Sequence, residues 1–204
     1  MKKFPNKKYN EISNFFNDYK NEVFESLDHT LITNLKSVVD TLEKKILSKS
    51  NIFVCGNGGS AAITNHYICD FLKSLRTDTN LKPKIFSLAS NIETILAIGN
   101  DISFSEIFRY QLESLSKKND LVILVSSSGN SPNIKKALDY CKKNKILTIG
   151  FCGFNGGYLK KNSTISVHVH NNNYGVVEDS HHILMHIAMQ FLKQKFIKKN
   201  KIKK

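Results

Sequence analysis

The stretch DLVILVSSSGNSPN, Asp120 to Asn133, decides how the rest of the chain is read. Its first half is an unbroken apolar run of strand length, and a run without polar alternation belongs to a strand covered by helices on both faces. Its second half sets three hydroxyls, Ser126, Ser127 and Ser128, ahead of Ser131, a natural N-cap, and Pro132, a natural first helical residue. A helix starting there turns free backbone N–H groups and the positive end of its dipole toward the loop. The stretch is thus an anion site built without a cation, of the kind a phosphate fits. A flexible serine turn is the competing reading, but serines held between a buried strand and a capped helix are poor linker material.

Working outward, similar runs recur as NIFVCG, PKIFSLA, ILTIGFCG and STISVHVH, with helical stretches between them. Strands alternating with helices predict an α/β fold with a parallel sheet. From Asn10 to Ser48 the apolar residues recur at spacings of three and four, which predicts two amphipathic leading helices. A last amphipathic helix is expected from near Val177, carrying Ile183, Leu184, Ile187, Phe191 and Leu192. These helices hold more apolar surface than a small sheet can cover, so a helix-mediated oligomer is expected. Residues 1–49 read as leading helices of the same domain, 50–195 as the α/β unit and 196–204 as a basic tail.

A chain of 204 residues can bury one good core. Its 41% apolar and 23% charged content is ordinary for a soluble globular protein. No segment approaches the roughly 18 unbroken apolar residues of a spanning helix, and MKKFPNKKYN leads into no signal-type apolar region, so a cytoplasmic protein without a membrane partner is expected. Cys55, Cys69, Cys141 and Cys152 form no C-x-x-C pair, which favours reduced thiols. The formal charge of +13 is nearly all lysine and is thickest at the C-terminal end. Without a basic recognition helix or a stacking motif it argues for a weak pull on anionic metabolites rather than for nucleic-acid binding.

A second loop, CGNGGSAA from Cys55 to Ala62, follows the NIFV run. Its glycines allow positive φ and close backbone approach, and Ser60 could cap the helix that follows. A plain strand-to-helix turn fits the glycines equally well, and neither the G-x-G-x-x-G nor the P-loop pattern is present. The helix after it carries His66 and Asp70 at i, i+4, on one face. In VVEDSHHILMHIA, Glu178, His182 and His186 recur every four residues along one stripe, with His181 beside them. If the two helices come together, these groups suffice for a metal site. Asn100 and Asp101, in LAIGNDISF, have the look of a helix cap.

Taken in order, GNGGSAA, H-x-x-x-D, AIGND, SSSGNSPN and VED-x-H-x-x-x-x-H resemble the sugar isomerase (SIS) domain family, and within it the phosphoheptose isomerases. The resemblance spans roughly Asn10 to Leu192. It implies a flavodoxin-like three-layer α/β/α sandwich on a five-stranded parallel sheet, assembled as a homotetramer with sites between subunits. It implies interconversion of sedoheptulose 7-phosphate and D-glycero-D-manno-heptose 7-phosphate through a cis-enediol, toward nucleotide-activated heptose for lipopolysaccharide or capsule. By position, Asn57, Gly58, Gly59, Ser60, Asn100 and Asp101 would contact the sugar. Ser126, Ser127, Ser128 and Ser131 would hold its phosphate.

The same resemblance puts Asp70 and His186 in the acid/base roles. It also places His66, Asp70, Glu178 and His186 where some members bind zinc; no organic cofactor is implied. Two departures stand out, since the family's isomerases usually carry Glu where this chain has Asp70 and Gln where it has Glu178. Glu178 would then either strengthen a metal site or take over as base. Some SIS proteins are instead non-catalytic, binding a sugar phosphate or a protein partner such as the replication initiator DnaA, and the shortened carboxylate keeps that alternative open.

Overall fold

The computed structural model describes residues 4–197. Each apolar run forms a strand: β1 (Asn51–Gly56), β2 (Lys84–Ser87), β3 (Leu121–Ser126), β4 (Leu147–Cys152) and β5 (Ile165–His168). They make one sheet in the order β2-β1-β3-β4-β5, and every neighbouring pair is parallel. This is the doubly wound, flavodoxin-like order, whose direction of winding reverses between β1 and β3. The glycine and serine loops leave the carboxyl ends of those two adjacent strands.

The helices are α1 (Ile12–Ser26), α2 (Leu31–Leu47), α3 (Gly58–Cys69), α4 (Arg76–Asp78), α5 (Ile92–Ile98), α6 (Arg109–Leu115), α7 (Pro132–Lys143), α8 (Gly157–Asn162) and α9 (Tyr174–Phe196). Alternate strand residues feed two cores. Ile52, Val54, Ile123 and Val125 pack with Val38, Leu42, Tyr67 and Leu184 of α2, α3 and α9. Phe53, Cys55, Val122 and Leu124 pack with Leu112, Ile134 and Leu138 of α6 and α7 on the other face. At about 1.5–3 kcal/mol per fully buried large aliphatic side chain, the two-sided burial explains why β3 is apolar at every position but its last. The leading helices differ in role: α2 buries Val38, Val39, Leu42 and Ile46 in the first core, whereas α1 buries only Ser26.

Four local expectations are corrected. The last helix begins at Tyr174, three residues before Val177, because the Asn173 side chain accepts from the Val176 N–H at 3.0 Å and caps it there. Ser60 is not a cap: α3 already starts at Gly58, and Ser60 lies buried in its first turn. Ser131 is the N-cap of α7 by position, but its Oγ pairs with Ser126 Oγ at 3.1 Å instead of with a helix N–H. Asn100 and Asp101 cap nothing; they lie within a π-helical turn, Gly99–Ser103, that prolongs α5. Of the basic tail, Phe196 and Ile197 are described and 198–204 lie outside the described residues.

Candidate active site

The two loops meet in one cavity of about 130 Å³, lined by Asn57, Ser60, Ser126, Ser127, Ser128 and Ser131 together with Tyr174 and Glu178. An amide pair joins the loops: Asn57 and Asn133 each donate Nδ2 to the other's Oδ1 at 2.9 Å. Asn133 Oδ1 also accepts from the Ile134 N–H at 2.9 Å, which ties the glycine loop to the first turn of α7. Gly58 supplies a left-handed φ of 52° at the start of α3. Gly129 supplies a φ of 65° in the serine loop, where the loop lies so close to the Gly156 carbonyl that a Cβ would collide with it. The Gly153 N–H donates to the Ser127 carbonyl at 2.8 Å and fixes the loop from the β4 side.

Within this rigid frame the Ser127 hydroxyl is buried and has no hydrogen-bond partner. A buried hydroxyl left unpaired costs about 1–3 kcal/mol, so one beside an anion-sized cavity suits a ligand oxygen. Among the described residues no lysine or arginine lines the cavity. An anion held there would rely on hydroxyls and the helix N-terminus.

The Glu178 carboxylate lies directly against Gly59, which has no side chain to keep it out. Burial raises its pKa, and the neighbouring Asp179 adds to the rise. Asp179 is itself held by the Tyr19 hydroxyl of α1 at 2.6 Å.

The residues expected as acid and base, Asp70 and His186, meet about two turns further along α9. His186 Nε2 stands 3.1 Å from Asp70 Oδ2 and 3.1 Å from His66 Nε2. His66 Nε2 is 3.7 Å from the same Asp70 oxygen. A third imidazole, His182, packs against both, with ring centroids 4.6 Å from His66 and 4.4 Å from His186. Ligating atoms of His66, His182 and His186 all fall within 4.8 Å of one another. The carboxylate oxygen Asp70 Oδ2 and His182 Nε2 are both buried without a hydrogen-bond partner. Burial, then the neighbouring His186 and His66, lower the His182 pKa, which favours the neutral imidazole, the form that ligates. Converging imidazole nitrogens with an unpaired carboxylate beside them suit a divalent ion of the zinc type.

Asp70 is also where the regular winding of α3 gives way to a π-helical segment, Asp70–Leu75. Such segments are frequent at functional sites because they re-aim a side chain.

The expected residues are therefore only partly brought together. Asn57, Ser60 and the four serines share the cavity; Gly58 and Gly59 shape it from the backbone. His66, Asp70 and His186 share the second cluster. Glu178, expected among the metal ligands, lines the cavity, and His182 stands beside His66 and His186; the i, i+4 stripe through His182 carried that signal. Asn100 and Asp101 are exposed, with Asn100 Nδ2 donating to Asp101 Oδ1 at 2.8 Å, and do not line the cavity within one chain. Tyr174 had no motif to mark it, and Asn133, inside the SSSGNSPN motif, was given no role there. His181 is fully buried, packs on Phe151 at 5.8 Å between centroids, and burial lowers its pKa to about 4, so it is a core residue.

A doubly wound sheet with a cation-free oxyanion loop at its switch point and a carboxylate–imidazole cluster beside it defines a sugar-phosphate-binding class of domain. The chain belongs to the SIS domain family, which matches residues 15–153. Among its relatives, a phosphoheptose isomerase of Clostridium acetobutylicum is 33% identical over 167 residues, 82% of this chain and 85% of that one. A phosphoheptose isomerase of Helicobacter pylori is 31% identical over 176 residues, 86% of this chain and 89% of that one. The solved structure of a phosphoheptose isomerase from Francisella tularensis superposes with a TM-score of 0.80, covering 90% of this chain and 96% of that one at 24% identity, and so shares the fold.

Proposed function

We infer that this protein is an aldose–ketose isomerase of a sugar phosphate, interconverting sedoheptulose 7-phosphate and D-glycero-D-manno-heptose 7-phosphate. The observation that carries the reading is the placement of both half-sites along one helix: Glu178 of α9 lines the oxyanion cavity, and His186 of the same helix meets Asp70. Eight residues of helix separate them by about 12 Å along the axis. A phosphate among the serines leaves the far end of an extended sugar chain near the acid/base pair. Two relatives above 30% identity that are named phosphoheptose isomerase support a heptose phosphate as the substrate.

Moving a carbonyl between the second and first carbons requires removal of a proton from carbon, a cis-enediol, and return of a proton to the neighbouring carbon. Asp70 is the group that takes and returns the carbon-bound proton. His186, 3.1 Å away, orients that carboxylate and carries the second proton while its Nε2 is free. The serine loop fixes the phosphate so that the reacting carbons fall within reach of these groups. His66, His182, His186 and Asp70 would hold a divalent ion such as zinc, and the ion when bound supplies positive charge beside the developing enediolate.

The reading extends to a cytoplasmic homotetramer acting toward heptose for lipopolysaccharide or capsule. Among the described residues no helix is long and apolar enough to cross a membrane. Ile12, Phe16 and Phe24 of α1 and Ile187 and Phe191 of α9 stay exposed, as subunit contacts would require.

The test is to incubate purified protein with sedoheptulose 7-phosphate, with and without added zinc, and follow the aldose by NMR. Turnover is expected. No turnover, with His186→Ala binding the sugar phosphate as tightly as wild type, would leave the non-catalytic SIS reading in its place.

A further inference from the structure

A second cavity, of about 1020 Å³, opens at the end of the sheet opposite the serine and glycine loops. Its walls come from the last turns of α2 and α7 and from the segments entering β3, β4 and β5. Five lysines line it, Lys44, Lys45, Lys118, Lys142 and Lys145, against a single acid, Asp40. The ordinary explanation for lysines near helix ends is that they offset the negative pole of the helix dipole, which covers Lys44, Lys45 and Lys142. It does not cover Lys118, which lies away from those helix ends.

The lysines are also poorly neutralised. Lys45 Nζ donates to the Asn119 carbonyl and Lys142 Nζ to Asn162 Oδ1, both at 2.6 Å, so each meets a neutral acceptor. Lys45 is only 8% exposed. The carboxylate near it, Asp120, is already occupied by the N–H groups of Asn51 and Lys117, each at 2.8 Å. Lys44, Lys118 and Lys145 form no salt bridge among the described residues. Lys145 moreover sits at the left-handed position that ends α7, with φ 56°, where glycine is the favoured residue. Like charges gathered in a concave, partly desolvated place raise the local affinity for a polyvalent anion. Half-buried Leu147, over the buried Ile146, gives the cavity an apolar edge beside the ammonium groups.

We propose that this lysine-lined cavity is a second ligand site, distinct from the sugar-phosphate site, that takes a nucleoside polyphosphate. A single phosphate would engage one or two of the lysines, whereas a chain of linked phosphates spans them and leaves a base for the Leu147 edge.

The experiment is calorimetric titration of the full chain with ATP and with pyrophosphate, at two salt concentrations. Three proteins are compared: wild type, the triple variant Lys44→Gln/Lys118→Gln/Lys145→Gln, and Ser127→Ala/Ser128→Ala. The three lysines are exposed, so a thermal melt close to wild type is expected of the triple variant. Saturable binding of one ATP per chain is expected, tighter than pyrophosphate, weakened about tenfold or more and with a shallower salt dependence in the triple variant, and unchanged in the serine variant. Absence of saturable binding at millimolar ATP overturns the proposal. So does wild-type affinity in the triple variant, loss of binding in the serine variant, or a single-stranded oligonucleotide that binds the same lysines more tightly than ATP.

Discussion

His186 of α9 and Asp70 of α3's π-helical extension face each other at 3.1 Å across the helix pair, with the carboxylate oxygen buried and making no hydrogen bond. A buried carboxylate with only an imidazole beside it and no hydrogen bond would, on the proposed mechanism, be available to a carbon-bound proton. Replacing Asp70 by Asn is therefore expected to lower kcat by about 10²–10⁴ with the sugar phosphate still bound. Asp70→Glu, which extends the carboxylate by one bond, is expected to raise kcat, since a displacement of about an ångström is worth up to about a hundredfold. Steady-state kinetics on the two variants decide it; an Asn variant with wild-type kcat removes Asp70 from the chemistry.

The three converging imidazoles predict how metal is held. His182→Ala is expected to weaken cobalt(II) binding about tenfold or more and to change its visible absorption bands, while Glu178→Gln leaves both unchanged. The reverse pattern in a spectroscopic titration would return Glu178 to the ligand set.

On the proposed function the serine loop would hold the phosphate, and its Ser127 hydroxyl is buried and unpaired. The Ser127→Ala/Ser128→Ala pair is expected to cost at least one charge-assisted hydrogen bond, about 1.5–3 kcal/mol of sugar-phosphate affinity. Calorimetry with unchanged affinity would contradict the loop's role.

Glu178 sets a pH dependence whose sign follows from its raised pKa. The folded protein holds this proton more tightly than the unfolded chain does. Its contribution to stability is full below the ordinary glutamate value and is lost as pH rises through the raised one. The same ionisation places a carboxylate beside the phosphate cavity, so sugar-phosphate affinity should fall over the same interval. Glu178→Gln is expected to flatten both profiles and to tighten binding at neutral pH. Parallel wild-type and variant profiles would show that Glu178 does not titrate there.

Gly129 combines a φ of 65° with close approach to the Gly156 carbonyl. Since the obstacle is backbone, Gly129→Ala is expected to destabilise the fold by about 1–3 kcal/mol and to weaken phosphate binding as the serine loop shifts. A Tm within a degree of wild type would argue that the β4–α8 turn can yield.

Much of this protein was legible in its sequence because the relevant signals are local. An unbroken apolar run such as LVILV, of strand length and bounded by turn residues, favours a strand buried on both faces, and Pro132 behind a serine N-cap favours a helix start. The glycine and serine loops were identifiable for the same reason, since φ preference and capping act within a few residues. Cap details were less legible. Ser60 and Ser131 both looked like side-chain caps, yet one was drawn into a buried turn and the other into a hydroxyl pair with Ser126.

What the sequence by itself determined is the order of elements, the two loops and the stripe of polar residues on the last helix, all fixed by periodicity and backbone chemistry. What only the tertiary structure decided is which residues of that stripe belong together. Glu178, His182 and His186 are equivalent by spacing. The sheet order brings the glycine loop against Glu178, where Gly59 leaves room for its carboxylate, and the packing of α3 on α9 brings His66 and Asp70 against His182 and His186. Side-chain spacing along one helix is local, whereas the partner each side chain meets depends on a neighbouring helix far away in sequence and on how the sheet seats the two together.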